Sequence, residues 1–322
     1  MANTIIRGAK VFNRGVGRYV DILLKDDIIE KIEPNISISN NYDEVNAQGK
    51  WLIPGIIDDQ VHFREPGLTY KADIASESRA AVAGGITSFM EMPNTNPAAL
   101  TQELLQQKYD IAQKTSYANY SFFMGASNDN YDEVMKTDGR QVCGIKIFMG
   151  SSTGNMLVDN PITLDHLFAN VPLLIATHCE DETSIKAQFK IFKEKYGDNM
   201  EPYMHPLIRN VDGCYLSSTM AVEMAKKYGT RLHILHISTE KELGLFTNQI
   251  PLKDKKITSE VCVHHLYFSA DDYHELGNLI KCNPAIKARE NKEALFPALL
   301  DDRLDIIATD HAPHTWDEKN MS

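Results

Sequence analysis

Several absences narrow this sequence before any motif is read. No apolar run is long enough to span a bilayer, so a membrane is excluded as its medium. The opening residues, MANTIIRGAKVF, lack the charged-then-apolar order of a signal peptide. The five cysteines (Cys143, Cys179, Cys214, Cys262, Cys282) are odd in number, widely spaced and without a Cys-x-x-Cys pair. That argues against a disulfide framework and for a reducing, cytoplasmic setting. Basic charge is scarce: 33 Lys and Arg against 44 Asp and Glu give a net charge of −11. A nucleic-acid partner is therefore disfavoured, because phosphate binding needs clustered cations. A small anionic substrate stays compatible, since a pocket can be locally basic. No Gly-x-Gly-x-x-Gly follows the early strands, which weakens a dinucleotide fold. One absence is more local. A metal-binding strand end commonly offers two histidines two residues apart, yet in Asp58-Asp59-Gln60-Val61-His62-Phe63-Arg64 the first of that pair is Gln60.

What is present reads as a globular α/β protein. Apolar residues make up 43% and charged residues 24% of 322, enough chain for one large barrel or two ordinary domains. Residues 4–12 and 20–33 alternate and break at Gly or Asp-Asp, as short antiparallel strands do. No helical period occurs before about residue 70. These features delimit a small β-module over residues 1–53. From residue 54 to 322 the rhythm changes. Apolar runs at 51–57, 86–92, 119–125, 144–149, 172–177, 231–237, 257–263 and 304–309 alternate with amphipathic stretches. Helices are expected over 71–83, stopped by Gly84-Gly85; over 101–114, opened by Thr101; and over 211–228, closed by Gly229. Eight such runs with interleaved helices predict a (β/α)8 barrel, with an open doubly wound sheet as the alternative.

In a barrel the chemistry gathers at the C-terminal ends of the strands. Those ends carry His62 and Arg64, then Asn94, Lys146, His178, His236, the pair His264 and His265, and finally Asp310, His311 and His314. Each has an ordinary reading. A single histidine at a strand end is commonly a loop residue, an asparagine before proline caps a turn, and Asp310 could cap a helix. His233, earlier in its run than His236, reads as structural, and neither His264 nor His265 is given a metal role. The joint pattern argues otherwise, because imidazoles and a carboxylate at equivalent ends of different strands converge as a transition-metal site requires. Lys146 fits that setting. Burial disfavours its ammonium, and a neutral amine can add carbon dioxide to give a carbamate whose two oxygens can bridge two ions.

The motifs His62-Phe-Arg-Glu-Pro-Gly, Met92-Pro-Asn-Thr-Asn-Pro, His178-Cys-Glu-Asp, His236-Ile-Ser-Thr and Asp310-His-Ala-Pro-His resemble, in order and across nearly the whole barrel, those of the dihydroorotases. These enzymes are amidohydrolases of the cyclic amidase branch. The resemblance implies a (β/α)8 barrel with a small β-sandwich, zinc as cofactor, a homodimer, and reversible interconversion of N-carbamoyl-L-aspartate and L-dihydroorotate in pyrimidine synthesis. It also implies roles by position. His62 and Asp310 would hold one zinc, His178 and His236 the other, and carboxylated Lys146 would bridge them. Arg64, Asn94, Asn283 and His314 would bind substrate, and Asp310 would move the proton. The metals would lower the pKa of water and polarise the carbonyl.

Three departures stand out: Gln60 replaces a histidine, the Asn283 motif lacks a following arginine, and the chain runs only from Asp310 to Ser322 where the family continues. The expectation is therefore a C-terminally incomplete chain. Hydantoinase, dihydropyrimidinase and allantoinase are the rival activities. Arg64 separates them, because it offers a planar fork to a ring carboxylate that the rivals' substrates lack. A non-catalytic dihydroorotase-like subunit is the alternative outside enzymology.

Overall fold

The computed structural model describes residues 3–26, 28–38, 42–150 and 155–320. The chain divides into two compact units, Met1–Ile56 and Ile57–Ser322.

The first unit is a five-stranded mixed sheet. Strands β1 (Thr4–Asn13) and β2 (Val16–Lys25) form a hairpin whose two loop residues, Arg14 and Gly15, both have positive φ, as a tight two-residue turn demands. β3 (Ile28–Glu33) extends the sheet antiparallel to β2. The stretch 20–33 breaks at Asp-Asp as expected, with Asp26 taking a left-handed φ of 53° between β2 and β3. β4 (Asp43–Asn46) and β5 (Trp51–Leu52) add to β1 in parallel, which alternation alone could not reveal. Ile5, Leu23 and Ile36 form the apolar centre. The buried carboxylate of Asp21 is satisfied by Arg7 at 2.8 Å and by the backbone N–H groups of Gly8 and Ile36.

The second unit is an eight-stranded parallel barrel. Its strands are β6 (Ile56–Val61), β7 (Ile86–Glu91), β8 (Asn119–Gly125), β9 (Gly144–Phe148), β10 (Ile175–His178), β11 (Leu232–Ile234), β12 (Ile257–Cys262) and β13 (Ile306–Ala308), neighbours in sequence order. Seven of the eight apolar runs become barrel strands; the run 51–57 is divided, with Trp51–Leu52 in β5 of the first unit and only Ile56 and Ile57 opening β6. A parallel bridge between Val61 and His311, with His62 N–H donating to the His311 carbonyl at 2.8 Å, joins the first strand's end to the segment after the last.

Helices fill the crossovers where the caps predict them. Thr101 accepts a hydrogen bond from Leu104 N–H and opens Gln102–Thr115. Gly229, with φ 71°, ends Val211–Tyr228. The helix expected from residue 71 starts at Ile74 instead, because Asp73 and Ser76 form a capping box there.

Alternation along the strands settles which side chains enter the barrel. Ile145 and Ile147 pack in the core shared with helix residues such as Leu164 and Leu167, so Lys146 between them faces the axis. By the same rule Val61 and Phe63 turn Gln60 and His62 inward, Leu232 and Ile234 turn His233 inward, and Val261 turns Glu260 and Cys262 inward. A small apolar layer of Met92, Phe123, Ala176 and Leu235 fills part of the interior. Beside it, fully buried Glu91 pairs with Lys108 at 2.9 Å and accepts Phe63 N–H at 3.0 Å. This pins the residue next to His62. Breaking such a buried pair from one side costs about 3–5 kcal/mol.

Candidate metal centre and active site

The chain leaves β6 through His62 and meets the end of β13 at Asp310. His62 Nδ1 lies 2.8 Å from Asn94 Oδ1, and its Nε2 lies 3.0 Å from Asp310 Oδ1. An imidazole that gives its Nδ1 proton to an amide oxygen turns a bare lone pair from Nε2 toward the carboxylate. That arrangement is repulsive unless a proton or a cation lies between. Consistently, buried Asp310 Oδ1 receives no hydrogen bond of good geometry despite its close neighbour. With a proton between them, His62 outweighs the burial that opposes ionisation and holds the Asp310 carboxyl below its ordinary pKa. Gln60, 1% exposed, lies on the same inner face, its Oε1 3.8 Å from Cys262 Sγ.

A second pair stands at the ends of β10 and β11. His178 Nδ1 lies 2.9 Å from His236 Nε2, and His178 Nε2 lies 2.8 Å from Glu180 Oε2. Glu180 also accepts from Arg209 at 2.6 Å. Burial works against the Glu180 carboxylate, but His178 and Arg209 prevail and hold it at about 2. An ionised Glu180 takes the Nε2 proton of His178, so the free lone pair sits on Nδ1, facing His236. His236 is positioned by its backbone N–H, which donates to Glu260 Oε1 at 3.0 Å. Burial lowers the pKa of both histidines, His236 well below the usual value. Both therefore present neutral nitrogens, the form that binds metal.

Lys146 lies among these pairs, and its charge is felt by Asp310, His178 and His236 alike. It is 1% exposed, and burial lowers its pKa to about 8. Its Nζ stands 4.4 Å from the Phe148 ring centre, and among the described residues no carboxylate lies within ion-pair distance of it. A buried amine without an anionic partner suits conversion to a carbamate.

Arg64 is buried at the rim. Its Nε donates to the Pro313 carbonyl at 3.0 Å and its Nη2 lies 3.2 Å from His314 Nε2. No carboxylate pairs with it among the described residues, and burial lowers its pKa. His314 is exposed and also borders Lys71 and Glu318. Asn283 is exposed and meets His205 Nε2 at 3.0 Å; no contact joins it to the other expected substrate residues among those described. Arg64, His236 and Asp310 all adopt positive φ (73°, 40° and 47°), conformations that non-glycine residues rarely hold outside sites where the surrounding structure enforces them.

The expected ligands therefore come together as two pairs with an amine among them. Sets of three donors occur elsewhere, at Asp59–His233–Glu260 and at Cys262–His264–His265. In the first set His233 Nε2 lies 3.1 Å from Glu260 and 3.5 Å from Asp59, and burial pushes both carboxyls up to about 8. Sequence reading passed over Glu180, Arg209, Glu260 and Asp59. The acid within His178-Cys-Glu was the only local signal for any of them, since the rest acquire partners through the barrel. The donor chemistry fits zinc: imidazoles of His62 and His178 set by hydrogen bonds to their far nitrogens, a neutral His236 held through its backbone, a carboxylate oxygen left unsatisfied, and a buried amine able to become an anion.

The family described as dihydro-orotase-like matches residues 49–242. A dihydroorotase of Methanosphaera stadtmanae is 30% identical over 329 aligned positions, covering 99% of this chain and 72% of that protein. One from Methanosarcina acetivorans is 31% identical, covering 100% and 69%. Among solved structures, the L-hydantoinase (dihydropyrimidinase) of Arthrobacter aurescens superposes with a TM-score of 0.92 at 24% identity, over 99% of this chain and 71% of that one. A D-hydantoinase (dihydropyrimidinase) of a Thermus species gives 0.84 at 22%, over 97% and 69%. At these identities the structures speak for the fold.

Proposed function

Because the chain belongs to the dihydro-orotase-like family of cyclic amidohydrolases, we propose that it interconverts L-dihydroorotate and N-carbamoyl-L-aspartate with zinc as cofactor. The observation that carries the substrate is Arg64, a buried guanidinium beside the site with no carboxylate partner among the described residues. Two of its nitrogens are engaged by Pro313 and His314, which orient the group and leave Nη1 open. A substrate carboxylate would complete it. Asn94 is held by His62, so its amide also borders the reacting region.

His62 with Asp310, and His178 with His236, would hold the ions, and Lys146 as a carbamate would join them. Bound zinc supplies Lewis acidity toward the ring carbonyl and lowers the pKa of water. The chain's own residues do the rest. Asp310, kept ionised by its neighbours, accepts the proton of the attacking water and returns it to the ring nitrogen as the C–N bond breaks. Glu180 keeps the proton of His178 on Nε2, and Glu260 holds the backbone that carries His236.

The test is a substrate ratio. The wild type should prefer dihydroorotate to dihydrouracil, the same ring without its carboxylate. Arg64→Met removes charge-assisted bonds worth roughly 1.5–3 kcal/mol each, a loss of about 10- to 150-fold in kcat/KM for dihydroorotate alone. A general loss of structure would lower both substrates together, so the ratio isolates the guanidinium. A wild type that favours dihydrouracil or hydantoin would transfer the protein to the hydantoinase-like activities. A metal-loaded wild type that turns over none of these rings would make it a non-catalytic relative.

A further inference from the structure

Strand β12 ends at Cys262, and the chain turns directly into the short helix Val263–Tyr267. That corner gathers three metal-ligating side chains: donor atoms of Cys262, His264 and His265 all lie within 4.8 Å of one another. Cys262 is fully buried and faces the barrel axis; His265 is 3% exposed. The two imidazoles are unusual in what they leave unmade. His265 Nε2 donates to the Pro284 carbonyl at 3.0 Å, which fixes the proton there and leaves a bare lone pair on Nδ1. That Nδ1 is buried and has no hydrogen-bond partner. His264 Nε2 is buried and without one as well. The ordinary reading of two adjacent histidines is a pair of satisfied core residues, and these are not satisfied. Burial keeps the two imidazoles and the thiol neutral, and the Asp310 carboxylate acts on both Cys262 and His264 as an anionic neighbour.

We propose that Cys262, His264 and His265 form a metal centre for a borderline-soft divalent ion, zinc foremost, with Gln60 at its edge. One thiolate and two imidazole nitrogens are a zinc donor set, and they leave a fourth position open. Tetrahedral zinc at its usual bond lengths would space these donors on the order of 3.5 Å apart, so the cluster needs only a modest contraction. Binding replaces the Cys262 S–H bond with a metal–sulfur bond and releases the proton to solvent. Without an ion the buried thiol stays protonated. The centre is distinct from the pairs His62–Asp310 and His178–His236. It flanks Gln60, the position where the expected histidine ligand is missing, with Gln60 Oε1 3.8 Å from the sulfur. It stands on its own residues and does not depend on which cyclic amide is the substrate.

Cobalt(II) alone is the probe, added to the chelator-stripped full chain. A thiolate bound to cobalt produces an intense near-ultraviolet charge-transfer absorption that imidazole and carboxylate ligands do not. The wild type should develop this band. Cys262→Ser should lose it together with one equivalent of bound cobalt measured by elemental analysis. His265→Gln should lose the same equivalent, which covers the case in which the serine variant misfolds; circular dichroism identifies that case. His178→Ala should keep the band. A wild type without the band overturns the proposal. So does a band that survives in Cys262→Ser, which would place the thiolate at another cysteine, or a cobalt content unchanged by His265→Gln in a folded protein.

Discussion

Lys146→Met gives a quantitative test of the two-ion site. Burial brings the Lys146 amine from 10.5 to about 8. A lysine whose folded-state pKa is depressed binds its proton less readily in the folded than in the unfolded chain. Below about pH 8 both states are protonated and the fold bears the whole cost of burying a cation; between about pH 8 and 10.5 the cost is released as pH rises. The gap between 10.5 and about 8 corresponds to about 3 kcal/mol. Methionine is unbranched, only one atom shorter, and carries no charge. Stripped of metal, Lys146→Met should therefore be more stable than the stripped wild type at pH 7, by up to about 3 kcal/mol, with the gain gone by about pH 10.5. Urea denaturation midpoints across pH measure this directly. Adding zinc and bicarbonate should reverse the order, because only the wild type can form the bridging group and gain stability from binding. The chemistry is available at neutral pH: with a pKa of about 8 roughly a quarter of the amine is neutral at pH 7.5, against about a thousandth for an unshifted lysine. A stripped variant no more stable than wild type would refute the burial cost. Equal zinc retention by the two proteins would refute the bridging role.

Gln60→His should tighten the ion held by His62 and Asp310, since an amide oxygen is a poorer zinc partner than imidazole; zinc titration followed by dialysis would show it, and equal, tight binding of two ions by the wild type would contradict it. Glu180→Gln should weaken the ion at His178 and His236 by about 10- to 100-fold, as loss of an anionic partner behind a ligating histidine does. In the wild type, Glu180 contributes stability that is full above about pH 4.5 and lost as pH falls toward 2, because its folded pKa is depressed to about 2. Glu180→Gln should flatten that acid limb, and an unchanged acid denaturation profile would count against the carboxylate's pairing.

The barrel was legible because strands buried on both faces, such as β9 and β10, read as apolar runs, whereas β6 is half polar and its Ile56 and Ile57 are exposed. Their ends were less so. β11 stops at Ile234 and β13 at Ala308, short of the runs that announced them. Shortly beyond, the backbone turns into the left-handed region at His236 and Asp310, which the modest preference of histidine and aspartate for that region is too weak to foretell. Arg64, Lys146, His178 and Asp310 could be picked out because each is a polar residue ending or interrupting an apolar run. Glu260 is polar within a run too, and Asp59 closely follows one, but their meaning depends on His233 arriving from β11. Glu180 needed Arg209, on a segment between helices, to explain how a buried acid stays charged. Asn283 was placed by motif, and its neighbour His205 lies in a stretch that carries no motif at all.

The bridge from Val61 to His311 has a consequence for how the protein comes to life. It joins segments about 250 positions apart, among the most distant contacts a chain of this size can make, and such contacts are slow to form because so long a loop must close first. His62 and Asp310 flank that bridge directly. The pair His178–His236 needs far less of the chain, being 58 positions apart. During synthesis, then, one half of the site can assemble while the last strand is still unmade. The other half is created only as the barrel closes, so an ion held between His62 and Asp310, as proposed, would latch the first strand to the segment beyond β13.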